Sequence, residues 1–172
     1  WARLLDINTE EQERGVTIEA NEVEFTYQNN KYKLIDTPGH KLYIRHLIEA
    51  IYRNSSHATS EHGNIVGVLV LSAISADIAA ATTSGQIKED ILLLRAIGVD
   101  SLVIAINKLD KFINPTDARS AFNSAKSSIS NILKLARFKN VAYAACSGLE
   151  GIGIIDVNGA FTDIPPLMDS IN

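Results

Sequence analysis

Two stretches of this chain are apolar without interruption, Ile65-Val66-Gly67-Val68-Leu69-Val70-Leu71 and Leu102-Val103-Ile104-Ala105-Ile106. A strand with one solvated face alternates, so a run with no polar residue predicts a strand covered on both faces. Such strands belong to parallel sheets, whose neighbours are joined by crossovers of a dozen or more residues. The chain supplies these connections. Gln86 to Ile97 has the spacing of an amphipathic helix stopped by Gly98. Pro115 to Phe138 predicts a longer helix, and Val141 to Ala145 a short strand before Cys146-Ser147-Gly148. Gly151 to Thr162 reads as loop, and Ile164 to Ile171 as a short helix entered through Pro165-Pro166. Upstream, Val23, Phe25 and Tyr27 alternate, Asn29-Asn30 marks a turn, and Lys31 to Asp36 returns, which predicts a hairpin. Leu42, Ile44, Leu47, Ile48 and Ile51 place a helix from His40 to about Arg53. Ser72 to Ser84 is small and Ala-rich and carries no assignable pattern. The expectation is an α/β fold, an open and mostly parallel sheet flanked by helices, in a single domain over 1–172.

Composition narrows the function. The 172 residues carry a net charge of −4, which argues against a sequence-blind nucleic-acid binder. The single cysteine, Cys146, excludes an internal disulfide and suits a reducing compartment. No apolar run is long enough to span a bilayer and no secretory leader is read, so no membrane partner is expected. The opening Trp1-Ala2-Arg3-Leu4-Leu5-Asp6 reads as the last turn of a helix at a cut end.

The strands end at marked polar residues. Leu34-Ile35-Asp36-Thr37-Pro38-Gly39-His40 reads as a strand running out at Asp36, a tight turn, and a helix start whose free N–H groups suit an anion. A carboxylate beside such an array suits a magnesium–phosphate pair. Asn107-Lys108-Leu109-Asp110 follows the second buried strand. Guanine presents two adjacent donors on its Watson–Crick edge, and a carboxylate offers two adjacent acceptors, so Asp110 can select it. Lys108 can lay its methylenes along a flat base. Asn107 can tie neighbouring loops together, and Ser147-Gly148 can offer a backbone N–H to the base oxygen.

The set D-T-P-G-H at 36–40, N-K-L-D at 107–110 and C-S-G at 146–148 resembles the GTPase domain of translation factors. Glu13-Arg14-Gly15-Val16-Thr17-Ile18-Glu19 is similar to their switch I segment. The leading Trp-x-x-x-x-Asp, the Gly-His-Lys-Leu-Tyr-Ile run and the extended Ala73–Gly85 segment resemble most the group of elongation factor 1-alpha, release factor 3 and the rescue factor Hbs-one. The resemblance implies GTP and GDP as ligands, with Mg2+. It places Thr17 and Asp36 on the metal, and Asp36, Thr37, Pro38, Gly39 and His40 around the terminal phosphate, with His40 positioning the attacking water. It places Asn107, Lys108, Leu109, Asp110, Cys146, Ser147, Gly148 and Leu149 around the base. It further implies a cytoplasmic monomer that works on the ribosome and carries a tRNA, or a tRNA-mimicking release or rescue factor, through other domains.

The departures are specific. No G-x-x-x-x-G-K-[ST] occurs. In the family that P-loop precedes switch I, so it would lie before Trp1, and its strand would lie between those at Asp36 and Ile65. Leu42, Ile87 and Asp90 stand where the family usually has Asp or Met, Thr, and His. These departures leave open a degenerate GTPase-like interaction module without turnover, and the shared motifs leave open the GTPase subunit of a sulfate-activating enzyme. Plainer readings stand beside several residues. Asp36 suits any turn, His40 any helix start, and Thr17 any strand entry, while Cys146 suits a small buried site. His57, Glu61 and His62 read as a solvated loop rather than a metal site.

Overall fold

The computed structural model describes residues 21–36, 65–156 and 161–172. Its contacts divide the chain into one unit over 1–63 and another over 64–172. The expected helix from His40 to Arg53 and the loop bearing His57, Glu61 and His62 lie outside the described residues.

In the first unit, β1 (Asn21–Tyr27) and β2 (Asn30–Asp36) form an antiparallel hairpin. Its two-residue turn is Gln28-Asn29, with φ of +46° and +65°, one residue earlier than the expected Asn29-Asn30. A tight hairpin needs positive φ at both central residues, which Asn accepts more readily than Gln. The cross-strand pairs explain why Gln28 takes the place. In this register Val23 faces Leu34, Phe25 faces Tyr32 and Glu24 faces Lys33. The Phe25 and Tyr32 rings stack at 5.3 Å, and Lys33 Nζ reaches Glu22 at 2.6 Å. Moving the turn on by one residue would set Val23 against Asp36 and lose these matches.

In the second unit three parallel strands lie in the order β3 (Val66–Ser72), β4 (Ser101–Asn107), β5 (Asn140–Ala145). The central strand behaves as its sequence predicts, with Leu102 to Ile106 all buried. β3 does not. Leu71 is buried, whereas Val68 and Val70 are 37% and 59% exposed. β3 pairs only with β4 among the described residues, and its burial alternates: Gly67 and Leu71 are buried on one face, while Val68 and Val70 point to the other.

The other face carries the core. Leu71, Leu102, Ile104 and Ile106 pack with Ile87 and Ile91 of α2 (Gln86–Ala96) and with α3 (Pro115–Ala136). α3 buries Ala118, Phe122, Ala125, Ile129, Leu133 and Ala136, a helical stripe along its length. Asn114 caps it by accepting from Thr116 N at 2.9 Å, with Pro115 at the first position. It ends two residues before the expected Phe138 because Arg137 turns left-handed, with φ +55°. The unassigned Ala-rich stretch forms α1 (Ser75–Thr83), which buries no residue fully, so no apolar period marks it. α4 (Leu167–Ile171) starts three residues after Ile164. Ile164 and Pro165 each precede a proline, and that placement disfavours helical backbone. Arg119 pairs with Asp163 and lies over the Phe161 ring at 4.5 Å, fastening the closing segment to α3. Ile87, a family departure, is 6% exposed within this core, where an apolar side chain fits. Among the described residues no helix is long and apolar enough to cross a membrane.

Candidate functional site

Parallel pairing in register makes β4 and β5 end together: Ile106 pairs with Ala145, so Asn107 and Cys146 leave the sheet side by side. Cys146 N bonds Ile106 O at 3.0 Å and Leu109 N bonds Cys146 O at 3.4 Å, holding the two exits in contact. Asn107 then joins them through its side chain. Its Oδ1 accepts from Lys108 N at 2.7 Å and from Gly148 N at 2.8 Å.

Asp110 lies in a short 3-10 turn, Leu109–Lys111. Its side chain is 6% exposed, and its Oδ1 accepts from the Ser147 hydroxyl at 2.7 Å. That bond holds its carboxyl below the usual range against the opposing effect of burial, with a smaller contribution from Lys111, whose Nζ is 3.6 Å from Oδ2. Ser147 is 2% exposed, and its Oγ also accepts from Glu150 N at 3.2 Å. Its N–H donates to Ile152 O at 2.9 Å. Gly153 permits this close approach: its φ is +73°, and a Cβ there would sit 2.1 Å from Ala145 O. The Cys146 thiol is buried and pushed up to about 11, so it is an inert packing group.

Asn107, Lys108, Leu109, Asp110, Cys146, Ser147, Gly148 and Leu149 thus share one rim, at the carboxyl ends of β4 and β5. Leu109 is buried beneath it and Leu149 is exposed above it. One detail differs from the expected donor. The N–H groups of both Ser147 and Gly148 are bonded within the protein, so a ligand oxygen would share the Gly148 donor with Asn107. Asp36 ends β2 in the other unit. Thr17, Thr37, Pro38, Gly39 and His40 lie outside the described residues. Among the described residues no cluster of three or more His, Cys, Asp or Glu could hold a metal. Asp36, a hard oxygen donor, is the only one of the two expected magnesium ligands that is described.

Two residues absent from the expected set join the rim. Asp77, in the first turn of α1, accepts from the Ser72 hydroxyl at 2.7 Å and from Lys108 Nζ at 2.9 Å. The Ser72 bond and then the Lys108 ammonium hold its carboxyl below the usual value. A signal existed for Ser72, a polar residue ending a buried run as Asn107 does. None existed for Asp77, because the helix that presents it has no apolar period.

Residues 1–171 match the family described as Elongation factor Tu GTP binding domain. Elongation factor 1-alpha of Picrophilus torridus is 32% identical over 174 residues, covering 100% of this chain and 38% of that protein. The eukaryotic peptide chain release factor GTP-binding subunit of Zygosaccharomyces rouxii is 31% identical over 157 residues, covering 88% of this chain and 22% of that protein. The fold is shared with the S. cerevisiae Ski7 GTPase-like domain, solved with GDP and inorganic phosphate, at a TM-score of 0.71 and 20% identity, over 96% of this chain and 37% of that one. It is shared also with bacterial selenocysteine-specific elongation factor EF-Sec, at a TM-score of 0.62 and 19% identity, over 97% of this chain and 24% of that one. The chain therefore spans less than two fifths of the length of these relatives. A match along nearly every residue, on a parallel sheet flanked by helices, makes this chain a member of the elongation factor Tu GTP binding domain family.

Proposed function

We propose that the chain is the guanine-nucleotide domain of a translation factor, converting GTP and water to GDP and phosphate under stimulation by the ribosome, in elongation, termination or rescue. The observation that carries this reading is the Asp110 side chain, nearly enclosed and oriented by the Ser147 hydroxyl, on a rim joined by Asn107. An oriented carboxylate suits the paired donors of guanine and disfavours adenine, which offers one donor on that edge. Lys108 and Leu149 would lie against the faces of the base. Thr17, Asp36, Thr37, Pro38, Gly39 and His40 are assigned to the phosphate end, with His40 orienting the attacking water. Magnesium, when bound, would neutralise phosphate charge, and Thr17 and Asp36 are the residues that would hold it. The chain would act as a single partial GTP-binding domain of a cytoplasmic monomer whose other domains carry a tRNA or a tRNA-mimicking factor.

The test is a nucleotide titration of the protein as its gene encodes it, followed by hydrolysis with and without ribosomes. GTP binding well ahead of ATP, and turnover that rises with ribosomes, are expected. Equal affinity for the two nucleotides would end the reading.

A further inference from the structure

Lys108 is a non-glycine residue in left-handed backbone, with φ +67° and ψ +27°. That conformation costs a side-chain-bearing residue free energy and persists when its surroundings fix it. Here it is fixed at both ends. Its backbone N–H bonds Asn107 Oδ1 at 2.7 Å, and its carbonyl accepts from Lys111 N at 3.2 Å. Its ammonium bonds Asp77 Oδ2 at 2.9 Å, across 31 residues of sequence. Asp77 is not a loose surface acid. The Ser72 hydroxyl holds the same carboxylate oxygen at 2.7 Å, and Ser72 Oγ itself accepts from Ile74 N at 3.1 Å. Ser72 pairs with Asn107 at the ends of β3 and β4, and Ala73 N donates to Asn107 O at 2.8 Å. A chain of contacts therefore runs from the end of β3 through Asp77 to the tip of Lys108 and returns through its backbone to Asn107.

We propose that Asp77, braced by Ser72, is a positioning residue that stretches the Lys108 side chain into a fixed apolar rail for the face of the bound base. This deepens the guanine-nucleotide reading and rests on it. A lysine free in solution samples many rotamers, and laying it against a ring costs that freedom at the moment of binding. Anchoring the ammonium before the ligand arrives removes part of the cost. The carboxylate also neutralises the ammonium, so the rail meets the base through its methylenes. Asp77 acts on the ring face, which purines share, whereas Asp110 acts on the edge that distinguishes them.

The experiment uses the encoded protein and fluorescent GDP, with IDP as the analogue lacking the exocyclic amine. The variants are Asp77→Ala, Lys108→Met, which keeps an apolar stem without the ammonium, and the double substitution. Asp77→Ala is expected to weaken GDP and IDP equally, by about threefold to fivefold, the range open to a half-exposed ion pair. In the Lys108→Met background the same substitution is expected to add nothing, because Asp77 works only through that ammonium. Unchanged GDP affinity in Asp77→Ala would overturn the proposal. So would a double-variant loss equal to the product of the single losses, or a loss confined to GDP. A wild-type protein that failed to prefer GDP over ADP would instead overturn the guanine reading beneath it.

Discussion

Replacing Ser147 by Ala removes one oxygen and tests the centre of the rim. That oxygen makes two contacts, one to Asp110 Oδ1 at 2.7 Å and one from Glu150 N at 3.2 Å. Water can replace the second contact, since Glu150 is exposed. It cannot readily replace the first, because Ser147 is 2% exposed and the Asp110 side chain 6%. A hydrogen bond to a charged group contributes about 1.5–3 kcal/mol, so the expected loss of stability is about 2 kcal/mol. The loss depends on pH in a direction fixed by the Asp110 carboxyl. Its folded pKa is depressed, chiefly by the Ser147 hydroxyl. A depressed carboxyl stabilises the fold above its unfolded pKa, and the contribution is lost as pH falls through the folded value. The gap between wild type and Ser147→Ala should therefore be widest at neutral pH. It should narrow below about pH 4 to roughly 1 kcal/mol, that of a neutral hydrogen bond. Urea titrations followed by circular dichroism at several pH values measure this directly. A gap that stayed constant from neutral pH to pH 3, or one under about 0.5 kcal/mol throughout, would refute the account of Asp110 as a carboxylate held by Ser147.

Gly153→Ala should lower stability by at least about 1–2 kcal/mol for the left-handed backbone alone, before the overlap with Ala145 O is counted; a melting temperature equal to wild type would contradict the close approach of Gly153 to Ala145 O. Asn114→Ala should cost about 1 kcal/mol by uncapping α3, seen as a lower urea midpoint with an unchanged slope. Asp110→Asn should weaken the preference for guanine over hypoxanthine nucleotides in competition binding, and an unchanged ratio would remove Asp110 from base reading. His40→Ala should leave GTP affinity nearly intact and slow hydrolysis in single-turnover assays, the pattern of a group acting in the transition state; equal loss of binding would reassign it.

The parts of the fold legible in the sequence are those where burial alone sets the pattern. β4 sits between two strands and shows five consecutive buried residues, so its unbroken apolar run translated directly into structure. β3 carries the same kind of run and leaves Val68 and Val70 exposed, because composition reports what a strand tolerates and neighbours decide what it receives. α1 is illegible for the opposite reason: with no residue fully buried, its sequence carries no apolar period. Proline chemistry places the start of α4 better than hydropathy does, since two successive X-Pro steps keep residues 164 and 165 out of the helix. At the site, residue type pointed to Asn107, Asp110 and Ser147. The Ser72–Asp77–Lys108 chain could not be read, because it depends on an ion pair spanning 31 residues.

The same contacts bear on how the proposed rim would recognise a base with selectivity. Three exits from a parallel sheet would ordinarily be independent, and ordering them on a ligand would consume binding energy. Here one side-chain oxygen of Asn107 accepts from the N–H groups of Lys108 and Gly148, while the Ser147 hydroxyl donates to Asp110, so the exits of β4 and β5 are joined by the protein's own hydrogen bonds. The groups proposed to meet the base edge and face are held from below by Ile106, Leu109 and Cys146, all buried. Because the Gly148 donor is engaged by Asn107, a ligand oxygen there would gain little new hydrogen bonding, and on the proposed reading selectivity would fall mainly on Asp110. Substitutions at Asn107 should therefore reduce affinity for every purine nucleotide together, whereas substitutions at Asp110 should change which purine is preferred.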